Sequence, residues 1–188
     1  HARDLIAPPA MMLDGIIYVR LESVRRYLWE KIEEAHWSKH NLAMERAIAA
    51  YDFRNLNAAL DAMADREART MVLHERGEIR AGLELGPNWE NLLGLHGRSR
   101  AELLLRAIRD IIADSLSTLP TLIAEANWPS LHFYFGTYTG MRSEIYPPLK
   151  QAYAQAVEQN SLSFIWLPEH RVHIRRCREH HIRPVADK

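Results

Sequence analysis

The sequence predicts an all-α fold, an up-and-down helical bundle of three long helices plus two or three shorter ones. Apolar residues recur at helical spacing over three long stretches, and Gly and Pro residues separate these stretches. Long amphipathic segments with brief connections are typical of antiparallel bundles. At 188 residues the chain has the length of a single helical domain, 1–188, whose core needs no disulfide.

The three long helices follow from their apolar stripes. Residues 1–15 form an extended lead-in with Pro and Gly as punctuation, and the first helix then covers about 17–51. The second helix covers 55–85 and ends at Gly86-Pro87, because Pro lacks an amide donor and disfavours helix in the residue before it. The third covers 100–126, with an interruption at Pro120.

Shorter helices complete the predicted bundle. The aromatic stretch 131–135 has strand-like composition, but we expect a helix there, because one isolated strand would have no partner for its hydrogen bonds. Pro147-Pro148 opens a helix through Gln159. The last segment, 168–188, is expected to be a basic His/Arg helix and tail.

Composition narrows the classes of function. Twenty-four basic residues balance 24 acidic ones, so no net charge attracts nucleic acid or an anionic membrane. No apolar run approaches the ~18 residues of a membrane span. Cys177 is the single cysteine, which favours a reducing cytoplasm, and the balanced charge fits a protein partner or a homo-oligomer. Because the chain opens with His1 rather than Met, we expect it to be a fragment.

Three ionisable residues lie on the apolar stripe of the second helix. Glu67, His74 and Glu78 are separated by seven and four positions, so they stack along roughly one line of the helix. Carboxylate and imidazole groups are costly in an apolar seam unless they are paired or bind a cation. Helical bundles build metal sites by projecting Glu and His inward from facing helices. The second helix therefore predicts a metal site.

The first helix offers further ligands. Glu33 and His36 form a Glu-x-x-His pair, with His36 closer to the apolar centre of that helix than Glu33. A Glu/His cluster with few soft ligands suits iron or manganese, and zinc less well. The alternative is a structural network, in which arginines on or near the second helix pair with the same carboxylates and no metal is needed.

The late His residues extend the metal hypothesis. Heme-oxygenase-like di-metal oxidases bind metal through Glu-x6-His on one helix and His-x3-Asp-x2-His on a late helix. Glu67 and His74 have the first spacing, and His173 and His180 have the spacing of the two histidines in the second. The family pattern covers five positions, and the chain resembles it at four of them, since Cys177 stands where the pattern has Asp. The resemblance implies that His173 and His180 join the metal site and that the activity is an oxidation.

Two weaker signals remain. The His/Arg helix is locally basic, and Arg175 with His180 fits the loose spacing of HEPN-type ribonucleases, so RNA binding or cleavage is a further alternative. Asp110 and Asp114 form an i,i+4 pair, but Asp110 points about 170° from the apolar centre of its helix. We therefore expect both aspartates to face solvent, unless that helix is wrapped on all sides.

The sequence thus leads to three hypotheses. The first is a metal-binding bundle, which would be an oxygen- or metal-dependent oxidoreductase if it is an enzyme. The second is a non-catalytic interaction or accessory subunit that uses the aromatic segment 131–138 or the basic terminal helix as its contact surface. The third is an RNA-binding or RNA-cleaving domain.

Overall fold

The computed structural model describes residues 8–37, 40–97 and 99–159, and in these ranges the chain is predominantly helical. The all-α class is therefore confirmed, with a small two-stranded sheet in addition. The elements in chain order are β1 (Ala10–Leu13), β2 (Ile16–Val19), α1 (Leu21–Trp37), α2 (Leu42–Ala49), α3 (Leu56–Leu85), α4 (Asn88–Leu95), α5 (Arg100–Ala113), a π-helical segment (Asp114–Thr118), α6 (Leu119–Ala124), α7 (Trp128–Thr137), α8 (Gly140–Ile145) and α9 (Pro147–Glu158).

Within the same ranges, no helix is both long enough and apolar enough to cross a lipid bilayer. The predicted helix within 168–188 lies outside the described residues.

The N-terminal hairpin is the first departure from the predicted fold. β1 and β2 pair antiparallel, with Ala10 opposite Val19 and Leu13 opposite Ile16. The two residues between the strands, Asp14 and Gly15, both have positive φ, 51° and 77°, as a two-residue hairpin turn of type I′ requires. The predicted start of a helix at residue 17 was therefore wrong, because the Asp-Gly turn pairs this segment with the lead-in.

The predicted first helix is also divided in two. α1 ends at Trp37 and α2 begins at Leu42. His40 has a φ of 59°, which a continuous α-helix does not allow, and Asn41 then caps α2 by accepting a hydrogen bond from Met44 N at 3.1 Å. The Asn41 side chain also donates to the Gly136 carbonyl oxygen at 2.8 Å. The break thus anchors the start of α2 to α7.

The remaining long helices agree with the sequence. α3 begins after Asn55, whose side chain accepts from Ala58 N at 3.3 Å, and it ends at Gly86 as predicted. The Ser99 side chain caps α5 by accepting from Glu102 N at 3.2 Å. The aromatic stretch is the helix α7, and its side chains are mostly buried. Pro147 opens α9.

Helix α3 is the element that positions the candidate site. It packs against α1 on one side and against α5 and the π-helical segment on another. Val24, Leu28 and Met63 are fully buried where α1 meets α3. A second apolar cluster, with Leu119, Leu131 and Leu149 among its members, lies under the C-terminal helices. Polar residues of α3 between these clusters are therefore held away from bulk water.

Candidate functional site

A buried histidine–aspartate pair joins α3 to the π-helical segment. His74 Nδ1 lies 2.7 Å from Oδ1 of Asp114, and the Thr118 hydroxyl donates to the same oxygen at 2.9 Å. Asp114 is 2% exposed. Oδ2 of Asp114 faces Arg142 Nη1 at 3.6 Å. The carboxylate therefore holds the His74 ring in one orientation, with its second nitrogen directed away from Asp114.

A glycine brings the two backbones close enough for this contact. Gly77 lies between His74 and Glu78 on α3, and a Cβ atom built there would stand 2.3 Å from the carbonyl oxygen of Ala113. Any larger residue would push α3 away from the end of α5. The absent side chain thus allows His74 and Glu78 to reach α5 and the π-helical segment.

On the other side of His74 lie two further carboxylates. His74 Nε2 is 3.5 Å from Oε1 of Glu78, and Arg109 Nη2 contacts the same Glu78 oxygen at 2.6 Å. Arg109 Nη2 is also 3.7 Å from Oδ1 of Asp110. The side chains of His74, Glu78 and Asp110 are 28%, 24% and 30% exposed, so this side of the cluster borders solvent.

The electrostatics of the cluster favour a positive charge at its centre. Burial alone would lower the pKa of His74, but the Asp114 carboxylate, with smaller effects from Glu78 and Asp110, raises it to about 11. Burial alone would raise the pKa of Glu78, but His74 and Arg109 hold it below its usual value. Burial raises the pKa of Asp110. The His74 imidazole, surrounded by carboxylates, is therefore protonated when no metal cation is bound to it.

Three residues of the cluster bring possible cation ligands close together. One ligand atom each from His74, Glu78 and Asp110 lie within 4.8 Å of one another. Metal-bound histidines commonly donate their other ring N–H to a carboxylate, as His74 can donate to Asp114. One nitrogen and two carboxylate oxygens suit a divalent transition metal. Since three protein ligands leave coordination positions free, water or a substrate could complete the coordination from the solvent side.

The chain can now be placed in a family. Residues 25–183 match the family model described as "Family of unknown function (DUF6866) C-terminal domain". The chain belongs to this family. No curated protein and no solved structure matches it significantly. What this DUF6866 C-terminal domain does is therefore inferred from the geometry of its own residues.

Glu67 lies on a neighbouring cavity rather than in the three-residue cluster. Glu67 is 2% exposed, and Oε1 accepts a hydrogen bond from the Ser130 hydroxyl at 2.6 Å. Burial raises its pKa to about 7 against the effect of that hydrogen bond. Glu67, His74 and Asp114 line a cavity of about 280 Å³. The predicted inward orientation of Glu67 is thus observed, but the cluster contains Asp110 in its place.

The predicted ligands on α1 do not join the cluster. Glu33 and His36 contact each other at 3.7 Å on α1, and their side chains are 43% and 63% exposed. Because α1 ends at Trp37, His36 lies in its solvent-facing last turn rather than inside a longer helix, and its expected inward position was wrong. His173 and His180 lie outside the described residues.

Asp110 and Asp114 are the residues that the sequence argument misplaced. Both were expected to face solvent, yet Asp114 is buried and Asp110 is half-buried. α5 contacts both α3 and α8, so the side opposite its apolar stripe is also covered. From Asp114 to Thr118 the backbone is π-helical, so a rotation of 100° per residue does not apply there. Their i,i+4 spacing was the available signal in the sequence.

The aromatic segment serves the core. Leu131, Phe133, Tyr134, Phe135 and Tyr138 are each no more than 7% exposed. Phe135 stacks on Tyr153 with ring centroids 4.2 Å apart. The hypothesis that residues 131–138 form a contact surface for a partner was therefore wrong, because these side chains are already covered by the chain itself.

Proposed function

We propose that this domain binds a divalent transition-metal cation, iron or manganese rather than zinc, through His74, Glu78 and Asp110. The single observation that carries the proposal is the convergence of their ligand atoms within 4.8 Å, behind a histidine oriented by Asp114. Nε2 of His74 would bind the ion, because Nδ1 faces Asp114 at 2.7 Å. Asp114 is thus a positioning residue and not a ligand.

Arg109 and a proton on His74 are the cations with which a metal must compete. Glu78 offers two oxygens, so Arg109 can keep Oε1 while the other oxygen binds the ion. The carboxylates that raise the pKa of His74 would attract the two charges of a divalent cation more strongly than the single charge of a proton. Binding of the metal would therefore release the proton from His74. The structural ion-pair network described above is therefore the metal-free state of the same site.

One side of the cluster borders solvent, which favours a catalytic role for the metal over a purely structural one. Structural metal sites are usually closed, whereas catalytic sites keep an open position. When bound, iron or manganese would supply Lewis-acid or redox chemistry at this surface. The finer proposal, an oxygen- or metal-dependent oxidoreductase, is tested by oxygen consumption of the iron-loaded protein in the presence of a reductant. No consumption above that of His74→Ala would remove it.

The bundle arrangement and the cytoplasmic location are proposals that do not depend on metal binding. We infer that α3 forms an up-and-down bundle with α1 and α5, since it packs against both. A reducing cytoplasm suits a chain whose single cysteine, Cys177, has no internal partner for a disulfide.

Metal analysis of protein purified without chelator tests the main proposal. We expect close to one iron or manganese ion per chain, and its loss in His74→Ala and Asp110→Asn. His36→Ala is the matched control, because it removes an exposed histidine outside the cluster. Wild-type protein without bound metal, both as purified and after incubation with Fe(II) or Mn(II), would refute the proposal.

A further inference from the structure

The cavity beside Glu67 has features of a ligand site of its own. It occupies about 280 Å³, and β1, α1, α3 and α7 all contribute to its wall. Its apolar wall includes Tyr27, Met71 and Phe133. Small-molecule sites generally combine an apolar cavity with a few convergent polar groups. The volume lies just below the usual range for drug-sized ligands and suits a compact molecule.

Two buried carboxyl groups lie on the wall of this cavity. Glu67 and Asp114 are each 2% exposed. Oδ1 of Asp114 is taken by His74 and Thr118, but Oδ2 has no hydrogen bond of good geometry among the described residues. Buried acceptors are rarely left without a donor. Arg142 Nη1 lies 3.6 Å from this oxygen, so a ligand that brings a hydrogen-bond donor would add to an existing ion pair.

The surroundings favour a cationic ligand over an anionic one. Glu67 accepts a hydrogen bond from the neutral Ser130 hydroxyl, and the Ser130 and Thr70 hydroxyls lower its pKa more than the charge of Arg66 does. Arg142, the arginine on the cavity wall, is already engaged with Asp114 at 3.6 Å and with the Thr137 carbonyl at 3.2 Å. Asp114 thus has both His74 and Arg142 beside it, whereas Glu67 forms no ion pair among the described residues. A buried carboxylate without a close cation is costly, and a cation bound at Glu67 would remove that cost.

We propose that this cavity binds a small primary amine, with its ammonium group at the Glu67 carboxylate and its apolar body against Tyr27, Met71 and Phe133. Aromatic rings add to the attraction, since their faces favour cations. The inference goes beyond metal binding and does not depend on it, because Glu78 and Asp110 do not line the cavity. Only His74 and Asp114 border both sites.

Three probes of similar size and different charge test the proposal. Benzylamine, benzyl alcohol and benzoate are titrated into the whole chain at pH 8 in EDTA, and binding is followed by calorimetry and ligand-observed NMR. EDTA removes any bound metal, so the outcome of this titration does not depend on whether the cation site binds a metal. We expect benzylamine to bind at least about tenfold more tightly than benzyl alcohol, and benzoate to bind most weakly.

Variants then assign the binding to the cavity. Glu67→Gln keeps the size of the side chain and should weaken benzylamine about tenfold while leaving benzyl alcohol within about twofold. Glu90→Gln, on the exposed side of α4, is the matched control and should change neither. Tighter binding of benzoate, equal binding of the amine and the alcohol, or no binding of any probe to the wild-type protein would each overturn the proposal, whether or not the variants fold.

Discussion

Replacing Gly77 by alanine should destabilise the protein and separate the residues of the cation site. The new Cβ would lie 2.3 Å from Ala113 O and 2.8 Å from Ala113 C, both backbone atoms that cannot rotate away. Ordinary contact requires α3 and α5 to move apart by about 1 Å. Overpacking of this kind costs about 1–3 kcal/mol, and the gain of alanine over glycine in a helix returns about 1 kcal/mol. We expect a net loss of about 1 kcal/mol, with an upper limit of about 2 kcal/mol.

Gly82 provides the matched control on the same helix. A Cβ at Gly82 would meet nothing within 4 Å, so Gly82→Ala should stabilise the protein by about 0.5–1 kcal/mol. Urea unfolding followed by circular dichroism gives both changes in the free energy of unfolding. If Gly77→Ala stabilises the protein as much as Gly82→Ala does, the close approach of α3 to Ala113 is wrong, and with it the geometry of the site.

Four other residues give measurable effects. Burial raises the pKa of Glu67 from 4.5 to about 7, so the folded state holds this proton more tightly than the unfolded state does. The tighter binding of this proton stabilises the folded state fully below pH 4.5, and the stabilisation is lost as the pH rises through 7. In the wild-type protein the free energy of unfolding should therefore fall by about 3 kcal/mol between pH 5 and 8 because of Glu67, and Glu67→Gln should abolish this fall. An unchanged pH profile in Glu67→Gln would contradict the burial of Glu67. Asp114→Asn leaves the buried His74 without its carboxylate, and thermal unfolding should show a loss of about 3 kcal/mol, whereas an effect below about 1 kcal/mol would mean that the pair contributes little. Ser99→Ala removes the cap of α5 and should cost about 1 kcal/mol in urea unfolding, and no change would argue against the cap. Since metal must displace the proton of His74, whose pKa is about 11, Mn(II) affinity should rise about tenfold per pH unit between pH 6.5 and 8.5, and a flat profile would exclude Nε2 as a ligand.

The parts of the fold with strong local signals could be predicted from the sequence. α3 was predicted correctly because its apolar stripe, the cap at Asn55 and the Gly86-Pro87 stop all agree. The helix between 17 and 51 was not, because helical periodicity was extended over residues 17–19, which belong to β2, and over His40. Asp-Gly is a strong hairpin signal. The positive φ of His40, however, has no comparable mark in the sequence.

The residues that α3 contributes to the site could be predicted from helical periodicity, but their partners on other elements could not. Helical phase placed Glu67 inward correctly, and it placed His74 and Glu78 on the side of α3 that meets α5. Their partners could not be found by the same method, because the π-helical segment changes the phase at Asp114 and because a single-helix calculation cannot show that α5 is covered on two sides. Long-range packing, here through Gly77, decides which carboxylates meet the histidine.

Titration of Mn(II) into metal-free protein, followed by the EPR signal of the free ion, tests the cation site most directly. The wild-type protein should bind one ion per chain, and His74→Ala should abolish this binding. Arg109→Gln removes the competing guanidinium from Glu78 and should tighten binding by about tenfold. Free Mn(II) that rises in proportion to the amount added, in the wild-type protein and in Arg109→Gln alike, would contradict the account and leave the cluster as an ion-pair network.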